Sequence, residues 1–332
     1  MKRTKKTCHR TLATTTVALL AATTAAAQSD VTLYGRVNTT VENQKVGEAS
    51  TTGLFNNSSR FGFRGVEDLG GGLKIGFGLE SGFASDTGIP ASPFFARRSE
   101  VDLSGAFGRL RLGRWIAESY FATADYVSLH NHDTGSSADA LYAYVSRDSN
   151  KVAYRTPVWN DFTLEGSVGL HEQVSGTPAA AGTNGRNSYD FAANYKLGAL
   201  ALGAGYTKLD QINQFALRAF YAIGPFLLGG YVQRDENAFF ANGGKRDSVR
   251  LSGAYLLGAS EFHLNVGRAG DYDNVPDSAA TQYTLGYNYN LSKRTKVYGY
   301  YTRVNNGAAA SYQSGVVGAD FRSVAVGVRH NF

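Results

Sequence analysis

The chain has 332 residues, with 39 Gly, 20 Tyr and 19 Phe, and its 33 Lys and Arg against 27 Asp and Glu give a formal charge of +6. Five of those cations fall in Met1–Arg10, so the remainder is near neutral at 28 basic against 27 acidic residues, and its charge points to no nucleic-acid partner. Cys8 and Met1, the single Cys and Met, lie in the same segment, which excludes a disulfide framework and a thiolate metal site from the rest.

The first element is at the N-terminus. MKRTKKTCHR is basic, 12–22 is small and apolar, and Ala25-Ala26-Ala27 precedes Gln28. This layout predicts a cleaved signal peptide over 1–27 and export. Its apolar part is too short and too rich in Thr to span about 30 Å of hydrocarbon. Beyond it no stretch approaches the length of a helical span, and mean hydropathy is slightly negative at -0.25. A transmembrane barrel reads this way, because only alternate residues of each strand meet lipid.

Period-2 alternation runs from Val31 to Phe332. Val31, Leu33, Val37 and Val41 alternate with Thr32, Tyr34, Arg36 and Asn38; Phe61 and Phe63 with Arg60 and Arg64; Leu73, Ile75, Phe77 and Leu79 with Lys74 and Glu80. The second face carries arginines, which a dry core would bury unpaired and a wet lumen hydrates. Strands are expected at 31–42, 58–68, 72–83, 94–105, 109–115, 150–157, 162–172, 187–197, 199–209, 213–223, 225–236, 246–257, 260–271, 280–291, 295–305 and 321–332. Sixteen is an even number, as in bacterial single-chain barrels. Short links such as 106–108 alternate with long polar ones at 43–57, 84–93, 173–186, 237–245, 272–279 and 306–320. The link of about 115–147 is longer and aromatic (Trp115, Tyr120, Phe121, Tyr126, Tyr142, Tyr144), which predicts a functional segment folded into the barrel. The last strand ends on Phe332 with no tail.

SDVTLYGRVNTT, SRFGFRGVEDLGGGLKIGFGLESGF, RRSEVDLSGAFGRLRLGR, NLSKRTKVYGYY and the terminal VGVRHNF span nearly all of the chain after residue 28. In these stretches the sequence resembles the trimeric Gram-negative general porins, most closely their β-proteobacterial branch. The resemblance implies an all-β, 16-stranded antiparallel transmembrane barrel, a homotrimer in the outer membrane, and a third loop folded inward as a constriction. It also implies a basic wall, carried over by motif to Arg36, Arg60, Arg98 (from the pair Arg97-Arg98, on parity) and Arg147. Glu80 falls on the family's wall acid. The family's Pro-Glu-Phe loop tip is missing here, so the facing loop acid is expected from Asp125, then Glu118, then Asp133, with Asp139 the remaining acid of the segment. Phe332 matches the aromatic terminus read by the barrel-assembly machinery. Partners implied are lipid, lipopolysaccharide, and small hydrophilic solutes and ions.

Four arginines against one or two acids predict a mild anion preference. His130 and His132 lack a third ligand at metal-site spacing, and no phosphate-binding or nucleophile-elbow motif occurs, so no metal, cofactor or enzymatic activity is expected. The alternatives are a substrate-specific channel, which would need an aromatic row along one wall, or a barrel enzyme such as a phospholipase.

Overall fold

A computed structural model describes residues 30–129, 139–172 and 185–332. The expected signal peptide, His130, His132 and Asp133 lie outside the described residues. The wall begins with β1 (Asp30–Val46), β2 (Ala49–Asn56), β3 (Arg60–Gly70), β4 (Leu73–Gly82), β5 (Arg98–Gly105) and β6 (Gly108–Trp115). Within the long link lie a one-turn helix, α1 (Glu118–Ala122), and a 3-10 turn (Asp125–Val127). The wall continues with β7 (Lys151–Arg155), β8 (Phe162–Gly169), β9 (Ser188–Leu197), β10 (Leu200–Leu209), β11 (Ile212–Ile223) and β12 (Phe226–Glu236). It ends with β13 (Lys245–Leu257), β14 (Ser260–Ala269), β15 (Ala280–Asn290), β16 (Thr295–Asn306) and β17 (Phe321–Asn331).

All pairings are antiparallel, and β17 returns to β1 from Arg36↔Asn331 to Val46↔Phe321, closing the sheet. β2 pairs with the upper part of β1 (Thr39–Val46) and β3 with the lower part (Asp30–Arg36). They are therefore one wall strand broken at Asn57–Ser59, where Ser58 has φ 58°, and the barrel has sixteen strands. Hydrogen bonds bridge the break: Asn57 N–H donates to Asn38 O at 2.9 Å, and Asn38 N–H donates to Ser59 Oγ at 2.9 Å.

Burial is inverted relative to a water-soluble sheet. Leu251 and Val326 are each 65% exposed, whereas Asn38, Thr40, Glu42, Thr207 and Asp235 are buried. The apolar set faces outward, where a bilayer would cover it, and the polar set faces inward. One expectation needs correction. Residues 43–57 are not a long loop: β1 runs to Val46, and only Gly47 and Glu48 turn the chain into β2. The polar residues that suggested a loop are strand residues, with Gln44 on the lumen face and Asn43 and Lys45 on the outward one. Glu42 accepts from Thr40, Gln44, Tyr300 and Ser323. The fourth barrel strand also starts later than expected, at Arg98. The other long links emerge at one end of the barrel, together with the short turns at 47–48 and 210–211, and the remaining short turns lie at the other end. Gly71, at φ 61° with open space around it, makes the tight turn into β4.

Candidate functional site

The site begins with a basic wall. Arg36 and Arg60 are cross-strand partners on β1 and β3, and Arg98 on β5 opposes Glu80 on β4. Alternation puts all of these side chains on the lumen face. Glu80 gathers the group: Arg97 Nε donates to it at 2.5 Å, Arg60 Nε lies 3.7 Å away, and Tyr34 OH donates at 2.9 Å. Arg36 Nε donates to Ser58 O at 3.0 Å, and Arg98 turns toward Glu100 at 3.7 Å.

Opposite stands the described part of the long link, 116–129 and 139–150. It packs on the polar-facing side chains of β6 through β15, so it lies within the barrel. α1 has no cap of its own, and Asp190 on β9 supplies one. Its Oδ1 accepts the Glu118 and Ser119 amides at 3.1 and 3.3 Å, and its Oδ2 accepts the Ser119 hydroxyl. At the other end Arg218 Nε donates to Ala122 O at 2.9 Å, while its guanidinium stacks 3.7 Å from the Tyr126 ring. The approach is close because two adjacent lumen positions of β10, Gly203 and Gly205, are glycines. A Cβ on Gly203 would sit 2.2 Å from Ala122 O, and one on Gly205 2.7 Å from Ser119 O. Further along, Ser252 Oγ donates to Val127 O at 2.6 Å, and Gln233 bonds Ala143 through both its amide N–H and carbonyl.

Ion pairs complete the anchorage. Arg111, 2% exposed, sits among Glu100 (2.6 Å), Glu118 (2.5 Å) and Glu165 (3.0 Å), with Trp115 stacked 4.3 Å away. Arg155 reaches Glu118 and Glu165 at 2.7 and 2.6 Å. Arg250 binds Asp139 at 2.9 Å, and Arg246 binds Asp235 at 2.8 Å while donating to Leu141 O. Each of these cations has an acid, which offsets its desolvation, whereas the buried Arg218 and Lys151 bond backbone carbonyls. Burial also pushes the Tyr142 phenol well above its ordinary range, so it stays neutral beside the Thr123 hydroxyl.

Between wall and link is a cavity of about 470 Å³. Arg60 and Arg97 line it on the wall side. The link side contributes Asp125, Asp139 and Asp148 with Tyr120, Phe121, Tyr142 and Tyr144. Of the residues expected here, the structure brings Arg60, Glu80 and Asp125 together, with Arg36 and Arg98 beside them on the same wall. Three placements differ from expectation. Arg97 rather than Arg98 lines the cavity, because it lies ahead of the strand where alternation does not fix its direction. Arg147 sits in irregular chain, donates to Arg186 O at 2.9 Å and does not line the cavity. Glu118 points back into the wall onto Arg111 and Arg155. Asp148, Asp190 and the glycines of β10 went unrecognised in the sequence; paired lumen-side glycines in one strand were the available signal. Phe332 pairs its backbone with Gly35 at 3.0 Å in both directions, and its ring fills the space that a side chain at Gly35 would occupy.

The Gram-negative porin family matches residues 13–309. The chain belongs to the Gram-negative porins. Outer membrane porin protein 32 of Delftia acidovorans is 35% identical over 95% of this porin and 98% of its own length. The anion-selective porin from Comamonas acidovorans superposes with a TM-score of 0.74 at 30% identity, covering 92% of this porin and all (100%) of that chain. The trimer form of OmpT, an outer membrane protein of Vibrio cholerae, shares the fold alone, with a TM-score of 0.67 at 17% identity over 92% of this chain and 99% of its own. The porin's place is thus the Gram-negative outer membrane, and its relatives are channel proteins rather than enzymes.

Proposed function

We propose that this porin is a homotrimeric general diffusion channel, exported by its cleaved 1–27 segment, whose waist lies between Arg60 and Arg97 and the link that carries Asp125. The observation that carries this reading is the cavity of about 470 Å³ with guanidiniums on one side and carboxylates on the other. Such an arrangement sets a transverse field across a narrow aqueous path, and low-dielectric walls strengthen it. Most wall cations are matched: Arg111, Arg155, Arg246 and Arg250 each hold acids. The net lumen field is therefore weakly positive, and the preference for anions is mild, in the sense that the Comamonas relative's name states for that protein. Small hydrophilic solutes and ions pass by diffusion. Reversal potential in asymmetric KCl tests this. Arg60→Glu and Arg97→Glu shift selectivity toward cations, and Lys45→Glu, on the outer face, does not. Equal responses at all three positions would displace the waist from this cavity.

A further inference from the structure

The link side of the waist is aromatic as well as acidic. Four rings line the cavity there, from Tyr120, Phe121, Tyr142 and Tyr144. They gather around Tyr120, whose ring centroid lies 5.9 Å from that of Phe121, 5.6 Å from Tyr142 and 5.3 Å from Tyr144, the last edge to face. Tyrosines beside water ordinarily turn their hydroxyls into it. Two of these do not. The Tyr144 hydroxyl donates to Asp148 Oδ1 at 2.6 Å and accepts the Ala117 amide at 3.0 Å, and the Tyr142 hydroxyl lies 3.0 Å from the Thr123 hydroxyl. Their polar atoms are held by the link itself, so ring carbon is left for the cavity, and Tyr144 is 41% exposed. On the facing wall, Glu80 meets Arg97 and Arg60 at their Nε atoms, 2.5 and 3.7 Å away, so this group of three keeps one net positive charge. A path that sorted solutes by size and charge alone would gain nothing from ring surface, whose exposure to water is unfavourable. Aromatic surface set against a few fixed charges in about 470 Å³ is instead the make-up of a small-molecule site.

We propose that the waist is a preferred station for aromatic monocarboxylates of the benzoate type. The inference rests on the reading of this cavity as the channel's waist and names a solute class for it. The carboxylate accepts charge-assisted hydrogen bonds from Arg60 and Arg97. The ring lies among Tyr120, Phe121 and Tyr144, where edge-to-face and offset contacts add to the area buried. Asp125 and Asp148 on the same side repel a second anionic group at the far end of the ring, so dicarboxylates fit worse. Contacts of this strength hold a solute briefly and still release it, as conduction requires.

The test reads single-channel current of the full-length porin in a planar bilayer in KCl, with benzoate, acetate, benzamide or terephthalate added. Benzoate should interrupt the current in brief steps whose frequency rises with concentration. Acetate has the charge without the ring, and benzamide the ring without the charge. Each should need about tenfold more, or beyond, for the same effect. Terephthalate, with its second carboxylate, should interrupt less than benzoate. Phe121→Leu should raise the half-blocking concentration of benzoate about two- to tenfold, the worth of one aromatic contact, and Phe121→Tyr, which keeps a ring, should restore it. Tyr144→Leu serves as the second variant, with the same weakened response, should Phe121→Leu not insert. Equal half-blocking concentrations of benzoate and acetate, in a porin that conducts KCl, would overturn the aromatic station and leave the channel reading standing. A wild-type benzoate response in both leucine variants, or stronger interruption by terephthalate than by benzoate, would overturn it too. A barrel that passes no KCl current would overturn the station and the channel reading together.

Discussion

Gly203→Ala is the smallest change that should alter the width of the channel. The new Cβ would lie 2.2 Å from the Ala122 carbonyl oxygen. Ordinary contact begins near about 3.4 Å, so α1 must withdraw from β10 by about 1 Å. Overpacking of this kind costs about 1–3 kcal/mol. The withdrawal stretches the Arg218–Ala122 bond, now 2.9 Å, and carries Tyr120 and Phe121 toward Arg60 and Arg97. Single-channel conductance in a planar bilayer should fall. Asp190→Ala acts on the same helix with the opposite result. It leaves the Glu118 and Ser119 amides and the Ser119 hydroxyl without their acceptor, at about 1–3 kcal/mol. The helix is released, so conductance should rise and current noise with it. If both variants fold with unchanged strand content yet conduct as the wild type does, then α1 does not set the width.

Further outcomes follow from other buried contacts. Arg111→Met leaves Glu100, Glu118 and Glu165 clustered without their shared cation, and the thermal unfolding midpoint should drop as for a loss of about 3–5 kcal/mol. Replacing Arg246 by Leu strands the buried Asp235 and should destabilise similarly; replacing both with a matched apolar pair should recover much of it, as read by the same unfolding assay. Gly327→Val places a side chain 2.5 Å from Thr40 and the Tyr298 ring, so β17 should fail to close on β1 and yield of folded barrel should collapse.

Much of this barrel was legible because lipid on one side and water on the other impose alternation on every strand. Residues such as Val31, Phe63 and Val326 reported the outer face directly, and Arg36, Arg60 and Glu80 the inner one. The same rule misled at 43–57, where the polar run from Asn43 to Lys45 suggested a loop although it continues β1 beyond the apolar belt. Legibility ended where regular structure ended. Alternation assigns Arg98 to the lumen but says nothing of Arg97, one residue before the strand, or of Arg147 in irregular chain. Glu118 turned onto Arg111 because α1 is seated by Asp190 and the glycines of β10, more than seventy residues away in sequence. Contacts at that separation leave no periodic trace.

We read the barrel as an open, weakly anion-preferring aqueous channel. Current through single molecules in a planar bilayer, followed by the reversal potential in asymmetric KCl, tests it most directly. We predict stable ohmic steps and a reversal potential of the sign given by modest chloride preference, moving toward cations in Arg60→Glu. A barrel that inserts without conducting, or one that strongly prefers potassium, would contradict it.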